Sequence, residues 1–239
     1  MELRGSEAYL LGKAQWGIYL ILEVLNASRV ANSIGSVALA QRALADALDF
    51  AEQRVAFGKP LIEQALMREQ FEVRATQLQK AWALAWESVT LLNEVWRLGP
   101  PYSERFHLFR LVTHLAKYWT AELAVQMAKW SMEVHGGVGT LAEFGIERWL
   151  REAMILDIWE GPPHRQILDG FEVMERKGAH RLLFEHLAEA ADRQQLQEMI
   201  ARVEAHWTLP TEQKEARAEE LFQDLARFTA DALEKKRVG

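Results

Sequence analysis

Residues 18–60 read IYLILEVLNASRVANSIGSVALAQRALADALDFAEQRVAFGKP. Leu22, Leu25, Val30, Ile34, Val37, Leu44 and Leu48 recur at spacings of three, four and seven, the period of a helix with a wide buried face. Small residues at Ala31, Ser33, Gly35, Ser36, Ala38 and Ala40 would let a second helix approach closely. The stretch therefore predicts one long helix from Ile18 to Phe57. Phe57-Gly58 ends it, and Pro60 prevents it from resuming.

Working outward, the other breakers cluster at Gly99–Pro101, Gly136–Gly139, Gly161–Pro163 and Pro210, leaving long breaker-poor segments between them. A second helix is expected over Leu61–Leu98 and a third from the N-cap Ser103 to Val134. Shorter helices follow at 143–156 and 161–176. Residues 179–208 and 211–236 are charged, amphipathic and glycine-free, as two or three surface helices, with Thr211 as an N-cap. Residues 1–15 carry the only strand signal, a short strand and turn that reads as the remnant of a sheet. The expected organisation is all-α: an up-and-down antiparallel bundle over 16–176, with additional amphipathic helices over 177–239.

Composition narrows the function classes. The 239 residues are 49% hydrophobic, contain no cysteine and carry a formal charge of -6. Thiol chemistry and disulfide frameworks are excluded, and a cytoplasmic location is expected. No apolar run approaches the ~18–20 residues of a membrane span. Residues 171–239 hold 11 Lys+Arg against 14 Asp+Glu, a net of -3, so they lack the positive surface that nucleic-acid binding requires. Hydrolase and Walker-loop motifs are absent. His107 and His114 share a helical face but have no carboxylate or thiol at ligand spacing, which favours surface or core roles over metal binding.

Three local clusters could carry chemistry. Arg54-Val55-Ala56-Phe57-Gly58-Lys59-Pro60 places an arginine at a helix end, where it could grip a phosphate or simply tend the last carbonyls. His135-Gly136-Gly137-Val138-Gly139 could present backbone N–H groups to a ligand, or be a plain turn. Asp157-Ile158-Trp159-Glu160-Gly161-Pro162-Pro163 sets a carboxylate beside a tryptophan at a helix break. Such a group suits proton abstraction, or the N-terminal charge of the next helix.

In order and spacing these clusters resemble the C-terminal helical domain of the flavin-dependent acyl-CoA dehydrogenases. The matching stretches are Ser28-Arg29, Gln53–Leu61, Val134–Gly139, Arg148–Arg151 and Ile158–Gly161, and the resemblance covers roughly residues 1–175. Leu61–Arg68, Met132-Glu133-Val134 and Ile158-Trp159-Glu160-Gly161 look closest to the alkylation-response (AidB-like) branch.

The resemblance implies a four-helix bundle, assembly as a homo-oligomer (dimer or tetramer) and FAD lying against the domain, its adenosine end gripped by a neighbouring subunit. Arg54 and Phe57 match positions on the flavin's pyrophosphate and adenine side. Glu133, Gly136 and Gly137 match the loop that meets the cofactor across the interface. Glu160 matches the base that removes the α-proton of an acyl-CoA thioester, and Arg29 an arginine facing the active site. Ser28 falls where some relatives place that base instead, which leaves Glu160 as the base here. The sequence departs from the family pattern in carrying Pro162 and Pro163 after Glu160-Gly161, and Glu133 where glutamine is usual. It also begins inside what resembles the middle β-domain, so that the rest of the pocket is expected on a separate chain or outside these residues. Two readings share these features: a part of an acyl-CoA dehydrogenase, or a non-catalytic oligomeric scaffold that retains the fold. A nucleic-acid-associated role rests on the branch resemblance alone.

Overall fold

The computed structural model describes residues 4–97 and 99–238, with side chains through Lys236. Helix α1 (Gly17–Gln53) climbs the molecule, α2 (Ala65–Val95) descends and α3 (Glu104–His135) climbs again. A broken fourth element, α4 (Glu147–Ile158) and α5 (Pro163–Lys177), returns alongside. Its direction is fixed by contacts with α1 that run in opposite order. Trp149 Nε1 donates to Asp46, Asn32 Nδ2 to the Leu156 carbonyl, and Arg29 Nε to the Glu160 carbonyl. The result is the expected up-and-down bundle.

The long helices pack through an alanine seam. Ala40, Ala43, Ala47 and Ala51 of α1 are fully buried against Ala81 and Ala85 of α2 and Ala124 and Ala128 of α3. Removing side-chain bulk lets backbones approach and brings many weak dispersion contacts into range. Larger side chains fill the other half of the core, where Leu84, Leu91, Leu111 and Leu115 meet the later helices. Ser103 caps α3 as expected, its hydroxyl accepting from Phe106 N at 3.3 Å. Thr211 does not cap: it is already the first helical residue after Pro210 and makes no such bond.

Other boundaries shift for local reasons. Helix α1 stops at Gln53, short of Phe57, because Arg54 turns extended and a tight hairpin follows. Its strands, β1 (Val55–Ala56) and β2 (Lys59–Pro60), are joined by Phe57 and Gly58 at φ 53° and 84°. Two successive positive φ values are what a two-residue hairpin turn demands. A short 3-10 turn (Leu61–Glu63) precedes α2, and the expected end of that helix, Leu98, lies outside the described residues. Of the expected N-terminal strand, Met1–Leu3 lie outside the described residues. Residues 4–13 are irregular, because no neighbouring strand among the described residues satisfies their backbone.

The C-terminal segment forms α6 (Ala179–Leu187), α7 (Arg193–Trp207), α8 (Thr211–Ala216) and α9 (Ala218–Val238). They share the bundle's core instead of forming a separate one, and Leu183, Leu187, Val203, Phe222 and Leu225 are buried in the same cluster as Leu111 and Leu115. Helix α9 docks by laying Phe222 over Gly170 of α5, where an added Cβ would sit 2.3 Å from the ring. Gly170→Ala should therefore cost about 1–3 kcal/mol by overpacking. In urea unfolding, Gly170→Ala combined with Phe222→Leu should lose less than the two single losses together. Additive losses would show that the ring and the glycine do not set each other's shape.

Candidate functional site

The break between α4 and α5 brings Glu160, Ser28 and Arg29 together. A helix end leaves its last carbonyls without intrahelical donors, and at α4 those carbonyls are met by side chains from three other helices. Asn32 takes Leu156 O at 2.9 Å, and the Lys117 ammonium takes Asp157 O. Arg29 Nε takes Glu160 O at 3.1 Å. Gln166 Nε2 donates to both Glu160 O at 2.9 Å and Gly161 O at 2.8 Å.

These bonds hold the backbone in a conformation it would otherwise avoid. Glu160 lies at φ 61° and Gly161 at φ 101°. A left-handed residue with a side chain costs about 1–2 kcal/mol and persists where its surroundings over-determine it. Gly161 is required twice over, because a Cβ there would also stand 3.0 Å from Gln166 Nε2. The turn aims the Glu160 side chain back at α1, where Ser28 Oγ donates to Oε1 at 2.8 Å. Among the described residues Oε2 has no hydrogen-bond partner, so one oxygen is held and the other is available to a reactant.

Around this turn lies a buried polar layer. The Arg29 guanidinium also reaches Asn26 Oδ1 at 3.0 Å and Asp169 Oδ2 at 3.3 Å. Burial lowers its pKa, while Asp169 and Glu160 oppose that shift. Lys117 is fully buried, and desolvation pulls its ammonium down to about 8, with the Asp157 charge opposing. Desolvation raises the Asp157 carboxyl, partly offset by Lys117, and its Oδ1 is buried without a hydrogen-bond partner. Because Gln166 spends its amide N–H groups on two carbonyls, its oxygen must accept from His114 Nδ1, 2.9 Å away. That assigns the Nδ1–H tautomer to a neutral ring.

The residues matched to the cofactor lie elsewhere. Arg54 and the 96% exposed Phe57 sit on the hairpin, and Glu133, Gly136 and Gly137 at the end of α3. These two groups share one end of the bundle, where Phe50 packs on the His135 ring at 4.5 Å. Glu133 pairs with Lys129, and its charge also acts on Arg74. From Arg29 to Arg54 is about 37 Å along α1, at a rise of 1.5 Å per residue. One chain therefore presents the Glu160–Ser28–Arg29 cluster and the hairpin and glycine loop at well-separated places.

Gly136 needs its φ of 63°, whereas a Cβ at Gly137 would meet nothing within 4 Å and its φ is ordinary. Nothing within the described residues demands a glycine at 137, which fits a surface approached from outside. Sequence reading missed Asn32, Lys117 and Gln166, and quoted Asp157 in the third cluster without a role of its own. The available signal was polar residues on helix faces otherwise apolar, as at Lys117 within Leu111–Ala124. Of the surface and core roles expected for His114, the structure shows the core one, the ring being fully buried. Among the described residues no group of three or more His, Cys, Asp or Glu side chains is placed to hold a metal ion.

Burial first, and then the Arg29 charge, push His114 from 6.5 down to about 3, against the opposing Gln166 bond. The unfolded chain therefore takes up a proton that the folded chain refuses between those values. This group's contribution to stability is lost as pH falls through that window. In ¹³C-histidine NMR the His114 ring should stay neutral at pH 5; titration near 6.5 in the folded protein would contradict the buried tautomer.

Comparison with known proteins agrees with this architecture. Residues 15–174 match the family model "Acyl-CoA dehydrogenase, C-terminal domain". The putative acyl-CoA dehydrogenase AidB of Escherichia coli (strain K12) is 33% identical over 190 residues, 79% of this chain and 34% of that protein. The structure of Bd2924 in its apo-form superposes with a TM-score of 0.86 at 30% identity, covering 95% of this chain and 44% of that one. This likeness extends past residue 174 into the C-terminal helices. An acyl-CoA dehydrogenase from Bacillus anthracis, complexed with FAD, shares the fold at a TM-score of 0.74 and 19% identity, over 95% of this chain and 45% of that one. The chain thus spans about a third of the length of AidB, and no helix among the described residues is long and apolar enough to cross a membrane. The chain belongs to the acyl-CoA dehydrogenase family, whose C-terminal helical domain it carries.

Proposed function

We propose that this domain supplies the catalytic base for FAD-dependent α,β-dehydrogenation of an acyl-CoA thioester. The rest of the substrate and cofactor pocket would come from polypeptide beyond these residues. The observation that carries the reading is the Glu160 carboxylate. It is fixed on a left-handed turn by three side-chain bonds to the turn's carbonyls, with Oε1 engaged by Ser28 and Oε2 without a hydrogen-bond partner among the described residues. A base so held needs little reorganisation when a substrate α-carbon comes within hydrogen-bond reach.

Glu160 Oε2 takes the α-proton, and the electrons of the broken C–H bond form the α,β double bond. The bound FAD would supply the acceptor for the hydride that leaves the β-carbon. Ser28 holds Oε1 and so orients the carboxylate. Arg29 holds the turn through the Glu160 carbonyl and adds positive charge beside it. At the far end, Arg54 offers a bidentate grip to a pyrophosphate, and Phe57 an exposed ring to an adenine. Gly136 and Gly137 leave room for close approach. The Glu133 charge is unfavourable next to phosphate, and Lys129 and Arg74 offset it. Pro162 and Pro163, which depart from the family pattern, remove two backbone N–H donors at the start of α5.

The ~37 Å between the two clusters supports assembly as a homo-oligomer, in which one subunit's hairpin and glycine loop serve another's Glu160. A cytoplasmic location accords with the cysteine-free composition. The scaffold reading is favoured by one observation, the prolines after Gly161.

In protein that retains flavin, Glu160→Gln should abolish solvent exchange of the acyl-CoA α-proton while leaving the flavin spectrum unchanged. Undiminished exchange would remove Glu160 as the base. Light scattering should give the mass of a dimer or tetramer at micromolar concentration, and a strict monomer would contradict the shared site. If flavin added to the oligomer together with candidate partner domains is not retained, the scaffold reading stands instead.

A further inference from the structure

We propose that a cavity on the opposite side of the Asn26–Arg29 pair from Glu160 binds an amphipathic monocarboxylate, with Arg110 as its anion anchor. The cavity lies between the first turns of α1, the Pro100–Tyr102 connection, the first turns of α3 and the last turns of α5. Its volume is about 580 Å³, within the range that organic ligands occupy. Trp16, Tyr19, Leu22, Tyr102, Phe106 and Val173 form apolar walls. Tyr102 stacks on Phe106 at 4.0 Å and 11°, a flat and preformed surface.

The polar groups in the cavity are unbalanced. Both of its carboxylates are engaged, Glu23 by the Tyr102 hydroxyl and Glu172 by Arg176 at 3.1 Å. Arg110 is half-buried, and neither it nor Lys177 has a carboxylate within 4.0 Å among the described residues. Arg110, Arg176 and Lys177 outnumber the two carboxylates, and a neighbour feels the excess positive charge. Burial lowers the proton affinity of His107, and the Lys177 and Arg110 charges lower it further against the weaker pull of Glu104. A partly desolvated guanidinium without a counter-ion is costly. A ligand carboxylate would give it a bidentate partner, while the ligand's alkyl body covers the aromatic walls. Lys177, exposed at the rim, adds steering more than grip.

Asn26 lines this cavity and holds Arg29 through Oδ1, and Arg29 in turn holds the Glu160 carbonyl. The cavity is thus adjacent to the proposed base site but built from different residues, and its test is independent of catalysis. Titration calorimetry of the full chain should show decanoate binding, with decanol bound at least about tenfold more weakly, the worth of one charge-assisted pair. Arg110→Met should weaken decanoate by about tenfold or more, and Glu160→Gln should leave its affinity unchanged. Equal binding of decanol and decanoate, or loss in Glu160→Gln with none in Arg110→Met, would overturn the assignment. Should Arg110→Met fail to fold, nuclear Overhauser contacts between decanoate methylenes and the Tyr102 and Phe106 rings of the unsubstituted protein decide it. Their absence overturns the proposal.

Discussion

The carbonyls at the end of α4 are the constraint on which this structure turns. A helix that stops inside a protein leaves acceptors that must find donors or lose their hydration for nothing. Here the donors come from α1 (Asn32, Arg29), α3 (Lys117) and α5 (Gln166), so the break is tied to three helices at once. Those bonds stabilise the left-handed Glu160, and that backbone directs the carboxylate at Ser28. The same polar layer explains a buried lysine and a buried neutral histidine in an otherwise apolar bundle.

A second constraint is distance. The alanine seam packs α1 tightly over its second half, and the hairpin and the glycine loop lie at that end, far from the Glu160 turn. The oligomer reading follows from that geometry as much as from family membership. The C-terminal helices add to the same core, with Phe222 seated over Gly170, and so stiffen α5 directly behind the site.

Much of the fold was legible in the sequence because the breakers were few and clustered. The spacing of Leu22, Leu25, Val30, Ile34 and Val37 marked α1, and Ser103 marked the start of α3. The hairpin at Val55–Pro60 was not legible, since two-residue strands have no periodicity to read and Phe57 is an improbable left-handed residue on propensity alone. The C-terminal segment read as surface helices, while Leu183, Phe222 and Leu225 lie wholly buried; amphipathicity shows that a face is covered but not by what. Glu160, Ser28 and Arg29 were found through motif order. Asn32, Lys117 and Gln166 were missed because their role is to satisfy carbonyls, and a carbonyl leaves no trace in the sequence.

The central claim is that tertiary donors, and not local sequence, impose the turn that presents Glu160. A crystal structure of the Gln166→Met variant tests it most directly, since methionine keeps the bulk of glutamine but donates to neither carbonyl. In that variant Glu160 should leave the left-handed region and the Ser28–Glu160 hydrogen bond should break. A variant with Glu160 still near φ 61° and its carboxylate still on Ser28 would contradict it.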